Sequence, residues 1–532
     1  MSINKVDEKS SVEGSHDFTP ELKESAIPSK ISPLREKKMN KVYLSLEVEH
    51  VRKTEHQREL DQARRALRTA TWVSVFYLIT TDILGPFNAP YAFSQVGYVP
   101  GAVLYVVMGG VACFTGLQLW RLFCRLDSHE YPVKTYGDLA ERILGREFKH
   151  FCTVLQSLQL IINVGVICLS NAQSLEQLAA NHQFCFSVSV LIWAIVGMLL
   201  GQIRSLQKYT FFANSAVWLN LLIIFTSMGF VAHSPPNFAA ALTSLNQPEG
   251  PVHTAKFVSL PLFDKVNGIM QMVFAYGGAM IFPEFLAEMR RPMDFWKGMI
   301  CAQMLICTAY LMYGLFVYSF QGQFTLPLAY QGVSRQSWQD VGNVFALITG
   351  IIAAGLYGNI GIKVAYYSII EDWFKGPALT SRTGRLIWTA MVLLYWSLAF
   401  IVGSAIPQVA TVSGVVAAIC IMQFSYTFPP LLTLGYKMKV AAAGLVEEDS
   451  LAFGELIDAN TPSKDPGDTW MQWSRWKRGF FGHRWYYNLF NLILFLASLS
   501  MACLGMYGSG TAIQQTFQFD GAATSFGCTS PV

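Results

Sequence analysis

Eleven separate apolar runs, each about 20 residues or longer, constrain this chain more than any other feature. About 20 such residues make one bilayer crossing. They fall near 70–95, 98–124, 151–178, 184–202, 208–232, 265–288, 296–320, 340–371, 384–405, 408–434 and 485–510. Lipid offers the backbone no hydrogen bonds, so runs of this length cross as helices. Composition agrees: 14% of the 532 residues are charged and 52% hydrophobic, against roughly 25% charged in a soluble domain. The expected fold class is an all-α polytopic membrane protein with eleven transmembrane helices.

The basic residues set its orientation, since cytoplasmic loops collect Lys and Arg. With the N-terminus inside, the inner connections hold Arg121, Arg125, Lys134, Arg142, Arg146 and Lys149, then Arg204 and Lys208, then Arg290, Arg291 and Lys297. Lys375, Arg382 and Arg385 follow, and after them Lys437, Lys439, Lys464, Arg475, Lys477, Arg478 and Arg484. The opposite connections hold only Lys256 and Arg335. Shifting the count by one crossing destroys this asymmetry. The expected parts are a cytoplasmic, mostly disordered tail over 1–68, a ten-helix core over 69–434 and a cytoplasmic loop over 435–484. An eleventh helix over 485–510 and an extracellular tail over 511–532 complete the chain.

Two of the runs are not ordinary spanning helices. The first reads ITTDILGPFNAPYAFSQVG over 79–97, with Asp82, Gly85-Pro86, Asn88 and Pro90 at mid-membrane depth. The sixth reads GIMQMVFAYGGAMIFPEFLAEM over 268–289, with Gly277-Gly278 followed by Pro283-Glu284. Proline removes a backbone donor and obstructs the preceding turn, so both helices are expected to open. Open backbone within a bilayer is tolerated only against protein or a wet cavity. Five crossings separate the two openings and reverse the direction, which predicts a 5+5 inverted repeat with broken helices 1 and 6. Half-helix ends expose N–H groups on one side and C=O groups on the other, and a zwitterion needs both. Close packing of small residues is the competing explanation for Gly277-Gly278.

The candidate substrate contacts are therefore Gly85, Phe87, Asn88 and Ala89 at the first opening, with Pro86 as a structural or gating residue. At the second they are Phe274, Tyr276, Gly277 and Gly278, with Asn163 and Tyr357 further out. The aromatic walls suit a neutral side chain, aromatic or large and apolar included.

Elsewhere the sequence is less specific. The first 68 residues hold fourteen Lys and Arg with Ser, Pro and Glu, a composition that buries no core. Within them, His50 to Arg68 reads either as a basic helix on the membrane surface or as a solvated charged segment. The tail lysines are possible ubiquitin acceptors. The stretch WMQWSRWKRGFFGHRWY over 470–486 spaces Trp470, Trp473 and Trp476 at helical intervals among basic residues, which predicts an interfacial helix. The ten cysteines show no metal-binding spacing. Cys185 and Cys528 fall near outer segments, where a disulfide is possible. No metal or cofactor is expected, and no nucleic-acid partner.

The run FAYGGAMIFPEFLAEMRRPMDFWKG resembles the sixth span of the amino acid/auxin permease family, through Tyr276, Gly278, Phe282, Glu284, Glu288, Met289, Arg290, Pro292, Asp294 and Phe295. The first span is similar through Leu84-Gly85, Pro90-Tyr91-Ala92-Phe93 and Gly97. The resemblance covers roughly 68–434 and is nearest to the fungal neutral amino acid permeases. It implies a LeuT-like fold and secondary transport of amino acids, with protons or sometimes sodium. The chain departs from the family at Pro86 and Asn88, where relatives more often have Ile and Ser.

Ionisable groups inside the membrane are functional candidates by default. A LeuT-like arrangement brings spans one and eight together, and sodium-coupled relatives hold sodium between them. There Lys363 is expected to replace the ion and to trade a proton with Asp82. Snorkelling of the Lys363 stem to the inner interface is the competing reading. Glu284 is expected to bond free N–H groups near the broken helix, with gating or proton carriage as the alternative. The function expected is import of neutral amino acids by proton symport across the plasma membrane, with alternating access. A non-transporting amino acid sensor and a vacuolar transporter of the same family are the alternatives. An enzyme is not expected, since no Ser/His/Asp set and no nucleotide-binding loop is present.

Overall fold

Two prolines show how the interrupted helices restart. Pro90 sits in the first turn of one helix and Pro283 in the first turn of another. The missing N–H costs nothing there and the ring's φ already suits the helix. Each proline begins a second half-helix. The computed structural model describes residues 68, 70–83, 87–127, 132–179, 185–204, 206–377, 379, 381–406, 408–442, 473–482, 485–519 and 525–528. All of them belong to one unit, Arg65–Val532. The expectations for the N-terminal tail, for Gly85 and Pro86, and for Trp470 lie outside the described residues, as does the side chain of Asp82.

The described chain is helical, and its only β pairing is two isolated bridges, Ala70 with Met289 and Pro236 with Val333. The first half contains α1 (Trp72–Ile83), α2 (Ala89–Val96), α3 (Tyr98–Leu126), α4 (Tyr136–Leu144), α5 (Arg146–Leu178), α6 (Phe186–Leu200), α7 (Leu206–Ala232) and α8 (Phe238–Leu245). Then come α9 (Leu262–Ala275), α10 (Phe282–Glu288), α11 (Phe295–Gln321), α12 (Gln336–Ala365), α13 (Arg382–Ala405), α14 (Val409–Val416), α15 (Phe428–Ala442), α16 (Trp473–Phe480) and α17 (Trp485–Phe519). Nine helical stretches among the described residues are long and apolar enough to cross a membrane. Two shorter apolar helices, Trp72–Thr81 and Phe186–Leu200, lie where the first and fourth runs were expected. The protein is a polytopic membrane protein.

Several boundaries differ from the sequence expectation. The connection 125–150 contains the capped helix α4, whose Thr135 and Asp138 form a reciprocal capping box. Its buried face carries Leu139, Ala140 and Ile143. The last helix continues past Gly510 to Phe519, into the stretch expected to be tail. The tenth run is not regular: π-helical turns occupy Ala417–Ile421 and Gln423–Thr427 between α14 and α15. A disulfide joins Cys185 to Cys528. It places the end of the chain against the start of α6, where Phe186 N donates to Cys528 O and Ser187 Oγ to Gly527 O.

The two broken helices lie side by side and run in opposite directions. At one end, Ala70 N donates to Glu288 O at 3.1 Å and Arg290 N to Ala70 O at 2.8 Å, joining the start of α1 to the end of α10. At the other end α2 packs against α9. Around them α5 packs against α12 and α13, α1 against α7 and α11, and α9 against α17. Gly97 closes the first broken segment. Its φ of +94°, and a Lys256 carbonyl that would lie 2.7 Å from an added Cβ, require glycine there.

Candidate functional site

The chain leaves helix geometry in both segments at one level. Phe87 and Asn88 form a turn before α2, and Asn88 is its N-cap. In the other segment α9 ends at Ala275, Tyr276 to Gly278 turn, and a short 3-10 turn over Ala279–Ile281 leads into α10. Four backbone donors around this second turn are bonded within it. Tyr276 N bonds to Val273 O, Gly277 N to Phe274 O, Gly278 N to Tyr276 O and Ile281 N to Gly278 O. Tight local turns satisfy them, as buried backbone groups require.

A cavity of about 110 Å³ lies beside the two turns. At roughly 10–15 Å³ for each water-sized occupant, it has room for about eight, the scale of a mid-sized amino acid. The first turn contributes Phe87 and Asn88, and the helices that end at the turns add Thr81 of α1 and Phe274 of α9. Helix α5 contributes Asn163, Val166, Ile167, Ser170 and Asn171, spaced along one helical face. Opposite it, α12 supplies Ala346, Thr349, Gly350, Ala353 and Tyr357. Asn220 of α7, Val409 and Ser413 of α14, and Leu328 and Tyr330 of the 322–333 connection complete the wall. Among the described residues no acidic or basic side chain lines it.

Gly350 makes part of this shape possible. A Cβ there would lie 2.4 Å from Asn171 Oδ1, so the glycine admits the asparagine. Tyr330 meets Phe87 edge to face at 5.2 Å, and Phe87 also meets Tyr313 at 6.4 Å. Phe87 O accepts from Ala329 N at 3.3 Å, which fastens the 322–333 connection onto the first turn.

A hydrogen-bond network behind the wall fixes Asn88. Its Nδ2 donates to Gln271 Oε1 at 2.8 Å, and Ser413 Oγ donates to the same oxygen at 2.8 Å. Gln271 Nε2 donates in turn to Ala410 O at 2.8 Å. Gln271 is fully buried and joins the first turn, α9 and α14. Asn88 Oδ1 is left buried without a partner, as are Asn163 Oδ1 and Asn220 Oδ1.

Of the residues proposed from sequence, Phe87, Asn88, Phe274, Asn163 and Tyr357 line this cavity, and Ala89, Tyr276, Gly277 and Gly278 do not. Tyr276 turns away, donates its hydroxyl to Tyr105 O at 3.0 Å, and packs between Tyr105 and Tyr310. Gly277 faces the π-helical turn, where a Cβ would lie 2.7 Å from Ile421 Cδ1. This is the close packing that competed with a binding role. Ala89 is buried at the start of α2. Glu284 accepts a backbone N–H beside the broken helix together with a side-chain amide. Its Oε1 accepts from Gln156 Nε2 at 2.7 Å and from Tyr136 N, the first residue of α4, at 3.4 Å. Gln156 also donates to Met280 O, so Glu284 helps fasten α4 and α5 to the second turn. Lys363 lies half-buried in α12, and among the described residues the charge acting on it is the carboxylate of Glu288 at the end of α10.

Asn171, Asn220, Gln271, Ser413 and Tyr330 are site residues that sequence reasoning missed. An amide inside an apolar span was the available signal for the first three, because such groups face the protein interior.

Residues 68–444 match the family model described as transmembrane amino acid transporter protein. The chain belongs to this family. A transmembrane transporter of Gibberella moniliformis is 25% identical over 395 residues, covering 70% of this chain and 79% of the relative. An N amino acid transport system protein of Neurospora crassa is 24% identical over 372 residues, covering 68% and 74%. A lysine histidine transporter-like protein of Arabidopsis thaliana is 25% identical over 263 residues, covering 46% and 55%.

Proposed function

We propose that the protein is a secondary active importer of neutral amino acids, driven by protons. The observation that carries this reading is the cavity beside two oppositely directed broken helices, whose described lining holds amides, hydroxyls and aromatic rings but no charged side chain. A zwitterion needs no net counter-charge, whereas a cationic or anionic side chain would require one.

On this reading the two short apolar helices cross together with the nine long ones, making eleven crossings. Spans 1–5 and 6–10 then form a LeuT-like inverted repeat, and α17 is the added helix. The joining of the start of α1 to the end of α10, and the packing of α2 at the end of the first segment on α9 at the start of the other, support it. The N-terminus is cytoplasmic and the C-terminus lies outside the plasma membrane. A Cys185–Cys528 disulfide on that side suits an oxidising compartment.

Asp82 carries the coupled proton at the first break, with Lys363 of α12 as the fixed cation of the same exchange. Gly85 and Pro86 let the first helix open, and Glu284 holds the inner helix α4 to α10. Acid outside protonates the carrier on the loading side, so uptake rises as external pH falls below internal pH.

Uptake of labelled neutral amino acids by cells lacking their own permeases tests this. It should be lost on adding an uncoupler and insensitive to sodium removal. Asp82→Asn and Lys363→Met should each flatten the dependence on external pH. Uptake that survives the uncoupler, or variants that keep the full pH dependence, would overturn the coupling assignment.

A further inference from the structure

We propose that the exposed face of α16, with the adjoining ends of α15 and α17, is a docking surface for anionic phospholipids of the cytoplasmic leaflet. Only the side of the membrane is taken from the proposed orientation.

The helix is short but held in one place. Gly479 sits so close to α15 that an added Cβ would run into Met438 Sδ. The carbonyls of Gly479 and Phe480 are among the acceptors that a helix end leaves open. Both accept from Asn488 Nδ2 of α17, at 3.2 and 3.0 Å. Asn488 is 1% exposed, so this anchor is shielded from water.

Helical spacing then decides what α16 presents. Trp473, Trp476 and Phe480 stand at i, i+3 and i+7 and form one stripe, with Gly479 at its protein-facing edge. Trp473 is 78% exposed and Trp476 41%, and the exposed aromatics continue in Phe481, Trp485 and Tyr486. Rings with a large apolar body and a polar edge favour the headgroup level of a bilayer. Lys477 is exposed beside this stripe, and Arg478 follows it. Lys437 of α15, next to Met438, lies over the Tyr487 ring at 4.3 Å. No Asp or Glu occurs within α15, α16 or α17. Positive charge bordering an aromatic stripe matches a phosphate above acyl chains. The competing occupant is the connection 443–472, which holds seven Asp and Glu and one Lys. Its carboxylates would suit the lysines and leave the tryptophans uncovered, whereas a phospholipid meets both.

The experiment places the full chain in phosphatidylcholine nanodiscs that contain a minor fraction of brominated phosphatidylcholine or brominated phosphatidylserine. Bromine quenches an indole on contact, and subtracting the Trp473→Phe/Trp476→Phe chain isolates the signal of these two rings. The expected result is quenching by the brominated serine lipid at least about threefold stronger than by the brominated choline lipid. High salt should reduce the difference, and Lys437→Gln/Lys477→Gln should bring the two lipids to parity. Equal quenching by both lipids in the unaltered chain overturns the preference for anionic headgroups. Quenching by neither means that protein, the acidic connection first, covers the face, and overturns the inference outright.

Discussion

Asn171 and Gly350 show how one residue pair shapes the cavity. An added Cβ at Gly350 would sit 2.4 Å from the Asn171 amide oxygen, on the wall itself. Overpacking of this kind costs roughly 1–3 kcal/mol. Gly350→Ala should therefore raise the KM for amino acid uptake about tenfold while surface expression stays near normal, as a saturation curve with surface labelling will show. A KM unchanged within twofold would mean that the cavity is not where substrate binds. Single residues also mark the limit of sequence reading. Phe87, Asn88 and Phe274 could be named because each stands next to a visible break in a helix. Tyr276 could not be excluded, since nothing in its spacing tells that its ring turns toward Tyr105 instead of the cavity. Gln271 was passed over for the same reason. Its role depends on Asn88, which lies 183 residues away in sequence.

At the scale of the element, close approach depends on small residues at particular crossings. The short helix α6 lies against α13, with Trp396 over Gly197, where a Cβ would fall 2.0 Å from the indole. Gly197→Ala should lower stability by roughly 1–3 kcal/mol, read as a fall in the unfolding midpoint of the detergent-solubilised protein. Trp396→Phe in the same chain should recover part of the loss, because it removes the clashing ring atoms. A Gly197→Ala midpoint equal to that of the parent would contradict this packing. The apolar runs were legible because length and hydropathy are local properties. The positions of the two breaks were legible because Gly and Pro act locally. The π-helical turns over Ala417–Ile421 and Gln423–Thr427 were not. The run that contains them is uniformly apolar, and the widening meets Gly277 of a distant segment. Helix α4 was hidden for the opposite reason: nine residues amid charged ones gave too short a pattern to separate from a loop.

For the whole molecule, the arrangement of basic residues and the Cys185–Cys528 disulfide make one joint prediction about sidedness. An epitope placed after Val532 should be detected on intact cells, and one placed before Met1 only after permeabilisation. Maleimide should label Cys185 and Cys528 from outside only after reduction. Surface detection of the N-terminal epitope instead would invert the orientation, and with it the direction proposed for transport. The central claim is that two oppositely running broken helices hold an amino acid at the cavity that Asn88 and Phe274 line. The most direct measurement is substrate protection of a thiol placed there, in a chain whose exposed Cys301 and Cys503 are replaced by serine. Asn88→Cys and Phe274→Cys should react with a water-soluble thiol reagent, and saturating neutral amino acid should slow both reactions at least about fivefold. Equal rates with and without amino acid at both positions would contradict the account.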